Sequence, residues 1–299
     1  MPARRPALSR TFKYMTYKRK EKAFFGDKML SDWKRMRAAA LSDVGLVRAK
    51  NEDAFWCDSD RGIFLIADGL GGHQAGEIAA AMAVEIASAD VTIAVDRGLQ
   101  NVELAEAMQE AFQAASEEIY RRSQEAKDLN GMACSLLAAV LEPDNCLVAH
   151  AGDTRAYLLM ENSFSQVTVD DTPVAALVKR GYLLPEKARS HSMKNFLVKS
   201  IGNKSTVEAN ISRFPIKEDE RLLFCSDGLW SMVDAHAMEK ILRSHKDVDA
   251  ACKELVQAAR DHGGRDNITV IVVHVGPKKD VLKALDETAE MPNSKTREV

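Results

Sequence analysis

Cysteine pairs are missing from this chain. Its 299 residues include five cysteines, at 57, 134, 146, 225 and 252, and no two are spaced Cys-x-x-Cys. An odd, scattered set argues against a disulfide framework and a thiolate zinc site, and points to reduced thiols in the cytoplasm. Long apolar runs are missing too. The best stretch, 78–89, is broken by Glu85 and falls short of the roughly 18 residues a membrane crossing needs. The basic N-terminus has no apolar segment of the secretory type, and no internal repeat is visible. Aromatic residues make up only 6%, yet 46% of the chain is hydrophobic. That suffices for a core in one large domain or two small ones.

The formal charge of −3 hides an uneven distribution. Residues 1–37 carry +9, residues 277–299 are neutral, and the middle, 38–276, carries −12. The expected organisation is a basic, disordered arm (1–37), an acidic globular domain (38–276) and a charged tail (277–299). An acidic globule disfavours a nucleic-acid face on the domain itself.

Within the domain, strand pairs alternate with helix pairs. Strand patterns occupy 54–57, 63–67, 132–141, 146–151, 155–160, 207–214, 221–226 and 268–275, separated by turn signals. Helical patterns cover 74–89, 173–180, 234–244, 248–261 and the segment after Asn101. There Leu104, Met108, Ala111, Phe112, Ala115 and Ile119 recur at helical spacing. Adjacent strands interrupted by helix pairs indicate an α+β fold layered on antiparallel sheet.

The acids stand out by position. Ile63-Phe64-Leu65-Ile66-Ala67 runs into Asp68-Gly69, and Leu222-Leu223-Phe224-Cys225-Ser226 runs into Asp227-Gly228. Asp266 precedes the last apolar run, and Glu52-Asp53 follows Arg48. Strand ends hold side chains rigidly, and a glycine after the acid lets a carbonyl approach a ligand. Carboxylates gathered from distant segments repel one another unless a cation neutralises them, so the pattern predicts a hard-metal site. Taken singly, each Asp-Gly also reads as a turn, and Asn51-Glu52-Asp53 as a solvated loop.

Five segments together resemble the bacterial metal-dependent Ser/Thr protein phosphatases of the type 2C (PPM) family. They are 42–53 with Arg48 and Asn51-Glu52-Asp53, Ala67-Asp68-Gly69-Leu70-Gly71-Gly72-His73, Ala151-Gly152-Asp153-Thr154-Arg155, Ser226-Asp227-Gly228-Leu229, and Gly263-Gly264-Arg265-Asp266-Asn267. The resemblance spans about 38–276 and keeps the family's motif order. It implies a four-layer αββα sandwich with two central antiparallel sheets and a metal site at one edge. It implies two Mn²⁺ or Mg²⁺ ions bridged by Asp68, the first also held by Asp227 and Asp266, the second by Glu52 and the Gly69 carbonyl. A weaker third ion would use Asp153 with Asp227. Arg48 would grip the substrate phosphate, with Asp53 and Asn267 supporting the site. The expected substrates are phosphorylated proteins, including a Ser/Thr kinase, and the expected state is a monomer.

Departures lie outside these acids. Met132-Ala133-Cys134-Ser135 stands where the family reads Met-Gly-Thr-Thr, and Thr168-Val169-Asp170-Asp171-Thr172 where it reads Thr-x-Asp-His-Ser. The first is expected to alter packing beneath the site, the second substrate choice or turnover. His73 reads as structural, His150 as a satisfied core histidine, and His191 as part of the segment beside the cleft. Two other functions compete: a non-catalytic phosphoprotein-binding module, which the intact acids oppose, and a two-metal nuclease, which the −12 globule opposes.

Overall fold

The computed structural model describes residues 36–70, 75–125, 127–188, 191–194 and 196–276. The basic arm up to 35, the tail 277–299, and Gly71, Gly72 and His73 lie outside them. In chain order the elements are β1 (Met36–Asp43), β2 (Asp53–Asp58), β3 (Ile63–Leu70), α1 (Ala75–Asp96), α2 (Asn101–Ser123), β4 (Ala133–Leu141), β5 (Asn145–Ala151), β6 (Arg155–Met160), β7 (Ser163–Gln166), α3 (Pro173–Lys179), α4 (Pro185–Ala188), β8 (Asn210–Pro215), β9 (Arg221–Cys225), α5 (Asp227–Trp230), α6 (Ala235–Ser244), α7 (Val248–Asp261) and β10 (Ile268–Val275).

The strands form two five-stranded antiparallel sheets, ordered β1-β10-β9-β6-β7 and β2-β3-β4-β5-β8. Alternation along each strand explains the layering. In β3, Ile63, Leu65 and Ala67 pack outward with α1 and α2, whereas Phe64 and Ile66 point between the sheets. In β9 and β10, Leu223, Cys225, Val270 and Val272 pack outward with α6 and α7, whereas Leu222, Phe224, Ile271 and Val273 point inward. The result is the expected αββα sandwich. Counting on by twos brings Asp68, Ser226 and Thr269 to the inner face at one end of the sandwich, where the apolar filling stops.

Three local differences from the sequence reading have physical causes. Strand β1 begins inside the stretch assigned to the arm. Its Ala38-Ala39-Ala40 favours helix, but pairing with β10 from Met36↔Val275 to Asp43↔Ile268 imposes strand. Helix α1 continues to Asp96, past the expected end at 89, and is long and apolar enough by composition to cross a membrane. Here Ala79, Ala80, Ala83, Ala87 and Val91 are buried in the core beside the second sheet. Strand β8 starts at Asn210 rather than 207, because α2 holds the preceding backbone instead. Gln109 Nε2 donates to the Val207 carbonyl (2.9 Å), and its Oε1 accepts from Ala209 N (2.8 Å). Gln113 does the same with Ser205 (2.9 Å) and Val207 (3.0 Å). Two glutamines thus imitate a neighbouring strand.

Candidate metal centre

The acids meet where the inner faces of the two sheets end. Asp53 on β2 pairs in register with Asp68 on β3, and Asp68 with Ser135 on β4. From the opposite sheet, Ser226 Oγ and Thr269 Oγ1 both donate to Asp53 Oδ2, at 2.8 and 2.6 Å. Asp53 therefore staples the sheets together directly beside Asp68. Asp227 opens α5 at the end of β9, with its carboxylate close to that of Asp68.

Asn267 positions the loop carrying Arg48 and Glu52. Its Oδ1 accepts from Glu52 N (2.8 Å), and its Nδ2 donates to the carbonyls of Val44 (3.0 Å) and Lys50 (2.8 Å). Only a side chain with both donor and acceptor ends does this. Asp266 Oδ1 accepts from Asn267 N at 2.9 Å, and its Oδ2 from Arg48 at 2.7 Å. Gly69 is squeezed between two segments: a Cβ there would lie 2.3 Å from the Gly76 carbonyl oxygen and 2.6 Å from that of Glu52. No other residue fits at that spot.

The electrostatics follow from crowding. Burial is the largest cause raising each acid, and like charge adds to it. Asp53 is pushed up to about 7 and Asp227 to about 6, while Asp68 and Asp153 go well above the ordinary carboxylate range. Asp53, Asp227 and Asp153 all act on Asp68, and Asp227 acts on Asp153. Burial also raises Glu52, against the pull of Arg48. The carboxylates do not form a finished cage: among the described residues no three converge as a ready ligand set, and Arg48 keeps Asp266 for itself. The donor chemistry nevertheless fits a hard cation. The site offers six carboxylates and a glycine backbone that no side chain covers, with neither thiolate nor imidazole.

Sequence reasoning missed what positions Asp153. Gly152 has φ +118°, and a Cβ on it would come within 2.4 Å of Ser135 Cβ, so the turn requires glycine. Asp171 N donates to the Gly152 carbonyl (2.9 Å), while the Asp171 carboxylate accepts from Gly152 N (3.0 Å) and Asn210 Nδ2 (2.9 Å). Asp170 receives Arg155 through two guanidinium nitrogens, at 2.9 and 2.6 Å. Arg155 lies 3.5 Å over the Trp230 ring, and Trp230 Nε1 donates to the Asp153 carbonyl (3.0 Å). The departing 168–172 segment thus braces the Asp153 turn. The only signal in the sequence was the departure itself. His150 is half satisfied: Nε2 bonds the Val169 carbonyl at 2.9 Å, but buried Nδ1 has no partner. His191 N donates to the Ala188 carbonyl at 3.1 Å, outside the acid cluster.

Residues 47–273 match the family described as Protein phosphatase 2C. The serine/threonine phosphatase stp of Listeria monocytogenes is 35% identical over 241 residues, covering 80% of this chain and 95% of that protein. The crystal structure of the Mycobacterium tuberculosis serine/threonine phosphatase PstP/Ppp superimposes with a TM-score of 0.74 at 32% identity, over 81% of this chain and 99% of that one. The catalytic domain of PstP in complex with two manganese ions gives 0.72 at 32% identity, over the same shares of the two chains.

Proposed function

The chain belongs to the protein phosphatase 2C family, and on that premise we propose that the acids at the sandwich end, with Arg48, carry the reaction. The protein is a metal-dependent serine/threonine phosphatase that acts on phosphorylated proteins and uses Mn²⁺ or Mg²⁺. One observation supports the site: Asp53, Asp68, Asp153 and Asp227, drawn from four separate segments, are close enough to raise one another's protonation, with Glu52 and Asp266 beside them. When bound, two divalent ions supply Lewis acidity and a water of lowered pKa.

The chain's own residues divide the work. Asp68 would bridge the ions, Asp227 and Asp266 would hold the first, and Glu52 with the Gly69 carbonyl the second. Asp153 and Asp227 would hold a weaker third. Arg48 is half exposed on a loop fixed by Asn267, and a substrate phosphate would compete with Asp266 for its guanidinium. Its planar fork matches two phosphate oxygens. Asp53 keeps the sheets, and so the acids, in register.

The substrates would include a Ser/Thr kinase, whose phosphorylated residues present the required monoester. The −12 charge of 38–276 supports a protein rather than a nucleic-acid substrate. Five free thiols support a cytoplasmic setting, and the core packing of α1 supports a chain without a membrane span. We place it there as a monomer, which light scattering checks.

The deciding assay is release of phosphate from a phosphoserine peptide with Mn²⁺. The expected result is turnover that stops on adding EDTA and returns with Mn²⁺ or Mg²⁺. Turnover of a phosphodiester instead would overturn the assignment. Arg48→Ala should lower kcat/KM about 10- to 150-fold, the scale of one charge-assisted hydrogen bond. Mn²⁺ affinity by calorimetry should stay the same or rise, since Asp266 is freed. Unchanged kinetics would remove Arg48 from the site.

A further inference from the structure

The loop that carries Arg48 presents apolar side chains to solvent. Val44, Leu46 and Val47 are 37%, 57% and 67% exposed. A single exposed valine is ordinary on a protein surface, but a contiguous apolar group beside a binding residue marks a contact site. A flexible loop could fold such side chains away, and this one is pinned. Gly45 N donates to Asp43 Oδ1 (2.8 Å), which also accepts from Arg260 Nη1 (2.6 Å). Leu46 N donates to the Gly264 carbonyl (2.7 Å), and Asn267 Nδ2 holds the carbonyls of Val44 and Lys50. Gly45 has φ +80°, and a Cβ on it would lie 2.2 Å from the Asp266 carbonyl oxygen, so the loop closes tightly on 264–267. Leu46 lies across Gly264, where a Cβ would come 3.0 Å from its Cγ. The apolar ledge is thus held out to solvent by the segment that carries Asp266.

We propose that Leu46 and Val47 are specificity-determining residues: they form a rigid ledge that takes an apolar residue flanking the phosphorylated serine or threonine of the substrate. The role rests on the phosphatase reading above and adds a class of substrate sequence to it. Val47 adjoins Arg48, so a peptide whose phosphate sits on that guanidinium carries its neighbouring residues past the ledge. An extended peptide advances about 3.3 Å per residue, which brings side chains within three positions of the phosphorylated one into reach. Leu46 and Val47 offer neither charge nor hydrogen bond, and a charged residue laid on them would lose water without gaining a partner. Because the loop is already fixed, covering it costs little further ordering and adds to affinity directly.

Steady-state kinetics with Mn²⁺ on a phosphoserine peptide series test this. Leucine replaces serine in turn at each of the three positions on either side of the phosphoserine, and p-nitrophenyl phosphate serves as a substrate without flanking residues. For the wild type, at least one leucine position should raise kcat/KM about 5- to 10-fold over the all-serine parent, the scale of partly covering two aliphatic side chains. In the Leu46→Gln Val47→Ser double variant that preference should fall to within about twofold, lost through KM rather than kcat. Val47→Ser alone, at the most exposed position, should lie between the two. No leucine preference in the wild type would overturn the role. So would a preference that survives in the double variant, or an equal loss on p-nitrophenyl phosphate and every peptide, which is the mark of a disarranged loop. A wild-type dimer by light scattering that the double variant loses would give the ledge to a second copy of the chain and overturn the role as well. A wild type that hydrolyses none of these monoesters with Mn²⁺ would instead bring down the phosphatase reading itself, and this role with it.

Discussion

Asp227→Asn should yield a folded protein whose turnover on a phosphoserine peptide is lower by about 10²-fold or more, the scale of a few kcal/mol of transition-state stabilisation. The substitution separates two readings of the same residue. As a turn, Asp227 contributes its backbone carbonyl to Ser231 N (2.9 Å) and starts α5, and asparagine does both equally well. Next to Asp68 the amide is also well tolerated, because its NH2 donates to a carboxylate. As a ligand, Asp227 contributes charge, which asparagine lacks. Weaker Mn²⁺ binding by calorimetry should therefore accompany the lost turnover. In EDTA at pH 7.5 the variant should melt at or above wild type, since one like charge has gone from a crowded cluster. Normal turnover in the folded variant would return Asp227 to the status of a turn residue and dismantle the proposed first-ion site.

Without metal, the protein should lose stability as pH rises from about 4 to 7, and Mn²⁺ should cancel that loss. Asp227 and Asp53 have folded-state values of about 6 and about 7, and Asp68 and Asp153 are raised further. An acid raised on folding binds its proton more tightly in the folded chain. Its contribution is thus fully present below the unfolded value near 4 and lost as pH climbs through the folded one. Together the four raised acids amount to about several kcal/mol. For a domain of this size that is on the order of 10 °C in Tm. Melts in EDTA should fall by that amount between pH 4.5 and pH 7.5, while melts in saturating Mn²⁺ should change little above pH 6. A flat EDTA profile across this range would mean that burial and crowding do not raise these acids, and the argument for a cation among them would fail.

Most elements were legible because their patterns were strong and local. The stripe from Leu104 to Ile119 specified α2, and Arg155–Met160, Val248–Asp261 and Ile268–Val275 have the bounds expected from their apolar periodicity. β1 was missed because three alanines carry no strand signal, and its partner β10 lies more than 200 residues away. The end of α1 was missed because the Ala-rich stretch gives way at Asp90 to Val91, Thr92 and Ile93, whose weak helix preference is overridden by burial on the sheet and α2.

The candidate site divides along the same line. Residue types and their places at strand ends were enough to single out Asp68 with Gly69, Asp227, Asp266 and the Glu52-Asp53 pair after Arg48, because acid after apolar strand is a local feature of the chain; Asp153, Asn267 and the role of each residue came from the resemblance to the phosphatase family. What Asn267 does with three backbone groups, how Asp53 is held by Ser226 and Thr269, and how Asp170 and Asp171 brace the Asp153 turn were decided only by tertiary structure. A strand's alternation says which residues share a face, but not what the opposite sheet brings to meet them. Hydrogen bonds between groups 15 to more than 200 positions apart depend on how strands, turns and sheets come together, and that is settled by packing of the whole core.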